Sequence, residues 1–164
     1  MGKFTPTEIN PQLCTHLVYA FTVLDGEKLT IKTSDDWLDV EKGNYIAFNE
    51  LKKENTKLKT LISLGGWVDS NDNRESYNLV FNNEKARETF INSVLAFLEN
   101  WGFDGLDVSF EFPQINERKG FATWIKKIKE AFGNKYELTI SLPANKEKIQ
   151  AGKCFIYHVK FGRF

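Results

Sequence analysis

The sequence predicts an α/β fold in which helices connect the strands of a parallel sheet. Two observations support this prediction. Short apolar runs rich in β-branched and aromatic residues recur along the chain, and stretches with apolar residues at helical spacing lie between them. Parallel neighbours need a crossover connection, and the spacing of the runs leaves room for one helix each time. The pattern leaves open whether the sheet is open or closed.

The first predicted strand covers residues 14–24, where β-branched and aromatic residues dominate. Asp25 and Gly26 then favour a turn. We expect a loop around Trp37 and, after it, a short helix. The apolar face of that helix is formed by Tyr45, Phe48 and Leu51.

The second strand is predicted at residues 59–64 and ends at Gly65, Gly66 and Trp67. Residues 69–76 are polar and are interpreted as a loop. The clearest helix follows, with Asn83 as its N-cap and Gly102 as the residue that ends it. Its apolar stripe is formed by Phe90, Ile91, Val94, Leu95 and Leu98.

A third strand is predicted at residues 103–112, followed by a helix that ends at Gly133 and a fourth strand at 138–142. Residues 151–164 do not continue this pattern. We therefore divide the chain into one domain at 1–150 and a divergent C-terminal tail at 151–164.

The two faces of the third strand differ sharply. One face is apolar and consists of Leu106, Val108, Phe110 and Phe112; the other consists of Gly105, Asp107, Ser109 and Glu111. Strands of a parallel sheet are normally covered on both faces and continuously apolar, so an inward polar face requires a reason. An edge strand with one face in water is the alternative explanation.

The functional interpretation is that Asp107 and Glu111 are paired carboxylates, with Glu111 at the carboxyl end of its strand. A carboxyl group that is removed from water beside a second carboxylate holds its proton more readily. Such a group can deliver the proton to a leaving oxygen near neutral pH. This arrangement predicts acid catalysis.

Composition excludes several other classes of function. Lys plus Arg and Asp plus Glu both number 22, so no net charge would attract nucleic acid or anionic lipid. We find no signal peptide and no run long enough to cross a membrane. Two distant cysteines and two histidines do not predict a metal site, and we expect no cofactor.

Residues 103–113 resemble the DxxDxDxE signature of the family-18 glycoside hydrolases, the chitinases and chitinase-like lectins. Two further motifs agree in the same order. Residues 13–21 are similar to the second barrel strand of that family, and residues 61–67 are similar to the SxGG segment of the third. The resemblance implies that this chain forms part of a (β/α)8 TIM barrel, with about half of the strands present. These would be the second to fifth strands of the barrel.

The resemblance also implies roles for individual residues. Glu111 would protonate the glycosidic oxygen, while the acetamido group of the substrate attacks the anomeric carbon. Asp107 would be the interior carboxylate beneath it, and Asp104, counted with the catalytic residues, would fix the entry of the strand. The residues implied to contact sugar are Phe21, Asp36, Trp37, Gly65, Gly66, Trp67 and Phe112.

The chain departs from the family at Ser109, which replaces an aspartate understood to orient the acetamido group. A serine offers a hydrogen bond but no charge, so we predict impaired hydrolysis, by a factor on the order of a hundred or more. Only four strands are legible here, and their unpaired edges predict self-association. In the family, the cysteine that matches Cys14 forms a disulfide with a cysteine on the first barrel strand. This sequence has no room for that strand before residue 14, so we predict that Cys14 is a free thiol.

The resulting expectation is a chitinase-family fragment that binds chitin or N-acetylglucosamine oligomers, with impaired or absent hydrolysis. Two alternatives stay open: an active chitinase with Glu111 as the acid, and a non-functional truncated gene product. The resemblance implies an extracellular location, although this chain has no signal peptide.

Overall fold

The computed structural model describes residues 4–142, which form a five-stranded sheet with helices packed against it. The spatial order of the strands is β2-β1-β3-β4-β5. The strands are β1 (His16–Asp25), β2 (Thr30–Thr33), β3 (Lys59–Gly65), β4 (Gly105–Ser109) and β5 (Glu137–Ile140). The helices are α1 (Asn44–Glu50), α2 (Gly66–Asp72), α3 (Arg74–Asn82), α4 (Glu84–Trp101) and α5 (Arg118–Phe132).

The predicted parallel sheet is confirmed for β1, β3, β4 and β5. Strand β2 was not predicted, and it pairs antiparallel with the end of β1, so the sheet is mixed. The predicted turn at Asp25 is the hairpin that joins them, because its carboxylate accepts the N–H groups of Glu27 and Lys28 at 3.1 and 3.0 Å. Ile31 is the one apolar residue of Thr30–Thr33, so this segment has no alternating pattern that would indicate a strand.

Helix α4 follows the sequence prediction closely. The side chain of Asn83 accepts the N–H of Ala86 at 3.0 Å, which satisfies one of the free donors of the first turn. At the other end, Gly102 takes the left-handed conformation with φ 77°. Phe90, Val94 and Leu98 are fully buried between this helix and the sheet. The helix therefore covers the outer face of the sheet with its apolar stripe.

The loop predicted at residues 69–76 is wrong, because this segment belongs to α2 and α3. Asp69 and Ser70 are buried rather than solvated. The Asp69 carboxylate accepts the Tyr77 hydroxyl at 2.5 Å, the Asn73 amide at 2.6 Å and, less closely, the Leu24 N–H. Polar residues that bind backbone or side-chain donors inside a protein look like loop residues in a hydropathy pattern, which explains the error.

The two faces of the sheet have different surroundings. The outer face lies under the helices, where Tyr77, Phe81 and Trp124 form part of a large aromatic core. The inner face is open at β1, where Val18 and Phe21 are exposed. Cys14 is an exposed free cysteine, as predicted. The tail at 151–164 and Cys154 lie outside the described residues. Within residues 4–142, none of the helices has the length and hydropathy needed to cross a membrane.

Candidate functional site

The alternation predicted for the third strand is present in β4, and it turns Asp107 toward the inner face of the sheet. Asp107 is 7% exposed. Its carboxylate accepts hydrogen bonds from the hydroxyls of Ser63 at 2.8 Å, Thr139 at 2.7 Å and Ser141 at 3.2 Å. Ser63 and Thr139 are its register partners on β3 and β5. Three hydroxyls thus balance the cost of burying this carboxylate.

The predicted strand is longer than the observed one, which ends at Ser109. Ser109 is buried beside Gly65, the last residue of β3. Glu111 lies beyond the ladder and is partly buried. Its backbone N–H donates to the Ser70 hydroxyl at 3.0 Å instead of to a neighbouring strand. Glu111 is therefore at the carboxyl end of β4, as predicted, but in the segment that follows the strand.

Gly65 and Gly66 allow the chain to turn from β3 into α2 at close quarters. Gly65 has φ 112°, and a Cβ atom there would lie 2.7 Å from the Ser109 carbonyl oxygen. Gly66 has φ 79°, and a Cβ atom there would meet the Phe21 ring at 3.2 Å. Both glycines are thus required by protein packing around the site.

Three of the aromatic residues implied to contact sugar are exposed at the carboxyl side of the sheet. Trp67, the second residue of α2, is 62% exposed, Phe21 is 40% exposed, and Trp37 is 54% exposed. The Ser34 hydroxyl donates to the Phe21 carbonyl at 2.6 Å and so ties the segment before Trp37 to β1. Apolar rings of this size in water are the surfaces that stack on sugar faces or other planar apolar groups.

The two remaining residues of the implied sugar site, Asp36 and Phe112, form hydrogen bonds with neighbouring residues of the chain. The Asp36 carboxylate accepts the Thr33 hydroxyl at the end of β2. Phe112 is partly buried, and its carbonyl accepts Arg74 Nη2 at 2.9 Å. The peptide bonds Ala20–Phe21 and Glu111–Phe112 are both cis.

Asp104 lies at the amino end of β4, at the opposite side of the sheet from Glu111. Its carboxylate binds Lys52 Nζ at 3.0 Å, Lys59 Nζ at 3.5 Å and the Thr60 N–H at 2.9 Å. Burial alone would raise the pKa of Asp104, but these donors outweigh burial and lower the pKa. These contacts hold the entry of the strand, and the grouping of Asp104 with the catalytic residues stays a prediction.

Sequence reasoning missed a buried carboxylate beneath the Trp37 segment. Asp39 lies in a single π-helical turn, Trp37–Glu41, and accepts the Tyr19 hydroxyl at 2.6 Å. Burial, together with this hydrogen bond, raises the pKa of Tyr19, so its hydroxyl stays protonated and donates. Asp39 therefore fixes the turn that presents Trp37. The spacing of two residues 20 apart in sequence contains no signal for this contact.

Sequence reasoning also missed an ion pair near Glu111. Arg74 on α3 binds the buried Glu117 through Nε at 3.0 Å and Nη2 at 2.8 Å. Two of the hydroxyl partners of Asp107 could have been predicted from the sequence. Thr139 and Ser141 alternate with apolar residues in the predicted fourth strand, so they share one face of it. Within residues 4–142, no group of His, Cys, Asp or Glu is arranged to hold a metal ion.

A cavity of ≈ 550 Å³ lies at the amino end of the same inner face, away from Glu111. Its lining includes Cys14, Val18 and Leu61, and the pair His16 Nε2–Glu137 Oε2 spans it at 2.9 Å. This cavity therefore lies at the opposite end of the sheet from Glu111. The carboxylates and exposed rings lie where (β/α) barrels carry their chemistry, at the carboxyl ends of the strands.

Parallel strands with helical crossovers, an inward carboxylate and a second carboxylate just past the strand define this chain as part of a barrel of the glycosidase type. The sequence model described as Glycosyl hydrolases family 18 matches residues 2–160. The chain belongs to this family, and its sheet is a portion of the (β/α)8 barrel.

Similar proteins include both enzymes and a protein described as a pseudo-enzyme. The chain is 40% identical over 162 residues to "Probable chitinase 10" of Drosophila melanogaster, covering 92% of this chain and 7% of that protein. A mutant catalytic domain 2 of the Ostrinia furnacalis Group II chitinase, in complex with a chitooligosaccharide written (NAG)5, superposes with a TM-score of 0.84 at 39% identity. Human YKL-39, described as "a pseudo-chitinase with retained chitooligosaccharide binding properties", superposes with a TM-score of 0.79 at 33% identity.

This chain corresponds to only part of these proteins. The superposition with the Ostrinia domain covers 91% of this chain and 41% of that domain, and the superposition with YKL-39 covers 90% of this chain and 41% of YKL-39. The chain spans 7% of the Drosophila protein, 32% of human "Chitinase-3-like protein 2" and 33% of mouse "Chitotriosidase-1".

Proposed function

We propose that this chain contributes a site for chitin or N-acetylglucosamine oligomers at the carboxyl end of its sheet, and that hydrolysis there is impaired or absent. The observation that carries the proposal is the joint placement of exposed Phe21, Trp37 and Trp67 on the side of the sheet where Glu111 lies. Rings support stacking on sugar, whereas Ser109 offers no carboxylate beside the acid.

The similar proteins support the ligand class. The Ostrinia domain is described in complex with a chitooligosaccharide, and YKL-39 is described as binding chitooligosaccharides while being a pseudo-chitinase. Binding without hydrolysis is thus compatible with this fold. For this chain, both the ligand and the loss of hydrolysis are part of the proposal.

The proposal is tested by titrating the chain with chitopentaose and comparing Trp67→Ala with the unsubstituted protein. We expect Trp67→Ala to weaken binding by about fivefold or more, because a stacked aromatic ring contributes on the order of 1 kcal/mol or more. Ile46→Ala, which removes an exposed apolar side chain from α1, is the matched control and should leave affinity unchanged. Absence of binding, or equal loss in both variants, contradicts the proposal.

The alternative activity is substrate-assisted hydrolysis with Glu111 as the proton donor. Its position at the carboxyl end of β4 favours this alternative. Release of a chromophore from a chito-oligomer, abolished by Glu111→Gln, would establish it. A chain that shows neither binding nor a cooperative thermal transition would instead indicate a non-functional product.

We also propose self-association through the open edges of the sheet. Four strands are parallel here, and two copies would supply the number needed for an eight-stranded barrel. The exposed apolar side chain of Val18 would be covered in such an assembly. Sedimentation at increasing protein concentration should show a dimer that Val18→Lys weakens. A monomer at all concentrations contradicts self-association.

An extracellular location completes the proposal and is supported by the family membership. Detection of the protein in the medium of expressing cells, against a co-expressed cytosolic marker, tests it.

A further inference from the structure

The segment around Glu111 is held by helices rather than by the sheet. The last ladder pair between β3 and β4 is Gly65 with Ser109. Beyond it, the Ser70 hydroxyl accepts the Glu111 N–H at 3.0 Å and donates to the Ser109 carbonyl at 3.4 Å. Ser70 is fully buried on α2. One hydroxyl therefore joins the backbone on both sides of Phe110.

A second attachment comes from Arg74 at the start of α3. Its Nη2 donates to the Phe112 carbonyl at 2.9 Å, and its guanidinium lies 5.3 Å from the centre of the Phe110 ring. The same guanidinium forms two hydrogen bonds to Glu117, at 3.0 and 2.8 Å, which fix its plane. Arg74 thus holds the residue that follows Glu111.

Glu117 holds the Arg74 side chain in place and compensates the positive charge of Arg74. It is 3% exposed and accepts the Gln114 N–H at 2.7 Å and the Asn78 amide at 3.1 Å as well as Arg74. Since the Arg74 charge is balanced by this carboxylate, the attachment adds little net field at Glu111. It can set the position of the Glu111 backbone without acting as a counter-ion to its side chain.

We propose that Ser70 and Arg74 are positioning residues for Glu111. They fix the backbone immediately before and after it, so the direction of its side chain follows the α2–α3 pair rather than the edge of the sheet. Neither residue has to touch sugar, and Ser70 is too deeply buried to do so. The inference deepens the proposed function, because the value of a fixed Glu111 rests on the presence of a sugar beside it.

Amide hydrogen exchange followed by NMR tests the positioning without any ligand. Ser70→Ala removes the acceptor of the Glu111 N–H, and exchange at that amide should become about tenfold faster or more. The β4 amides of Asp107 and Val108 should stay within about twofold of their original rates. Ser70→Thr keeps the hydroxyl and should restore protection at Glu111. Thr89→Ala, which deletes an exposed hydroxyl on α4, is the control.

Chitopentaose affinity is the second readout. We expect a loss of about fivefold or more in Ser70→Ala and in Arg74→Lys, which keeps the charge but not the paired hydrogen bonds, and recovery in Ser70→Thr. Selective exchange at Glu111 together with these affinity changes supports the proposal. It is overturned by unchanged Glu111 exchange in Ser70→Ala, by equal acceleration throughout β4, or by selective acceleration with unchanged affinity. If the unsubstituted chain binds no oligomer, the proposed function fails, and the exchange result alone decides the positioning.

Discussion

Ser109 and Asp107 show how the two positions of one strand face can differ in chemistry. Both are buried on the inner face of β4. The Asp107 carboxyl group accepts hydrogen bonds from the hydroxyls of Ser63, Thr139 and Ser141. Ser109 brings no charge toward Glu111. The inner face of β4 therefore holds one carboxyl group at Asp107, while the position two residues before Glu111 is neutral.

The substitution Ser109→Asp tests the effect of this neutral position. If the missing charge limits hydrolysis, turnover of a chromogenic chito-oligomer should rise by about a hundredfold, equivalent to about 2.7 kcal/mol of transition-state stabilisation. Ser109→Asn is the control, because asparagine has nearly the same size as aspartate but no charge. It should leave turnover unchanged. Equal rates for all three proteins would exclude Ser109 as the cause of impaired hydrolysis.

Gly65 combines a positive φ (112°) with close packing, since a Cβ atom there would lie 2.7 Å from the Ser109 carbonyl oxygen. Gly65→Ala should lower the free energy of unfolding by about 3 kcal/mol or more, because a side chain at this φ is strained and its Cβ would strike the Ser109 carbonyl. Gly43→Ala is the control, since Gly43 also has positive φ (75°) but no atom within 4 Å of its Cβ position. Chemical denaturation should show about 1 kcal/mol for the control. Similar losses in both variants would show that the carbonyl contact is unimportant.

At the scale of elements, the segment from Gly66 to Asn82 separates what the sequence could predict from what it could not. Helix α4 was predictable because its apolar stripe, N-cap and terminal glycine are local signals. Residues 69–76, which belong to α2 and α3, are predicted as a loop because they are polar, yet Asp69 and Ser70 are buried and have partners distant in sequence. A hydropathy pattern records residue type and not the partner that satisfies it.

The Arg74–Glu117 pair connects α3 to the start of α5 and should make stability depend on acid pH. Burial alone would raise the pKa of Glu117, but Arg74, the Gln114 N–H and Asn78 outweigh burial and lower the pKa. A lowered pKa stabilises the fold above the ordinary value of 4.5, and this stabilisation is lost as pH falls through the native pKa. We therefore expect the free energy of unfolding to decline below pH 4.5.

Glu117→Gln cannot take up that proton, so its stability should fall less steeply in acid. At neutral pH it should be less stable by about 3 kcal/mol, because Arg74 is left without its charged partner. Urea denaturation across the acid range measures both effects. Glu99→Gln, which changes an exposed pair with Lys135, should stay within about 0.5 kcal/mol of the original protein. A Glu117→Gln curve parallel to the original would contradict the role given to this pair.

At the scale of the whole molecule, the alternation of apolar runs predicts the order of the parallel strands and most of the helices. The resemblance of three motifs, in order along the chain, to one family predicts the barrel. The antiparallel strand β2 and the end of β4 at Ser109 were not predictable, because both depend on which strands meet in space. The candidate site is predicted from polar residues on one face of a strand. The hydrogen bonds from the Glu111 N–H to Ser70 and from Arg74 to the Phe112 carbonyl join residues far apart in sequence, so no local pattern indicates them.

The distribution of contacts over the two ends of the sheet gives the molecule two distinct regions. The amino end contains the Asp104 ion pairs and the cavity beside His16 and Glu137. The carboxyl end contains Glu111 and the exposed rings of Phe21 and Trp67. If the family relationship extends to ligand recognition, sugar should be confined to the second region.

Amide chemical-shift mapping during a chitopentaose titration tests this placement most directly. We expect shifts at Phe21, Gly66, Trp67 and Glu111, and none at Thr60 or Asp104 on the opposite side of the sheet. Shifts confined to the amino end, or an unchanged spectrum at saturating oligomer, would contradict a sugar site at the carboxyl end of these strands.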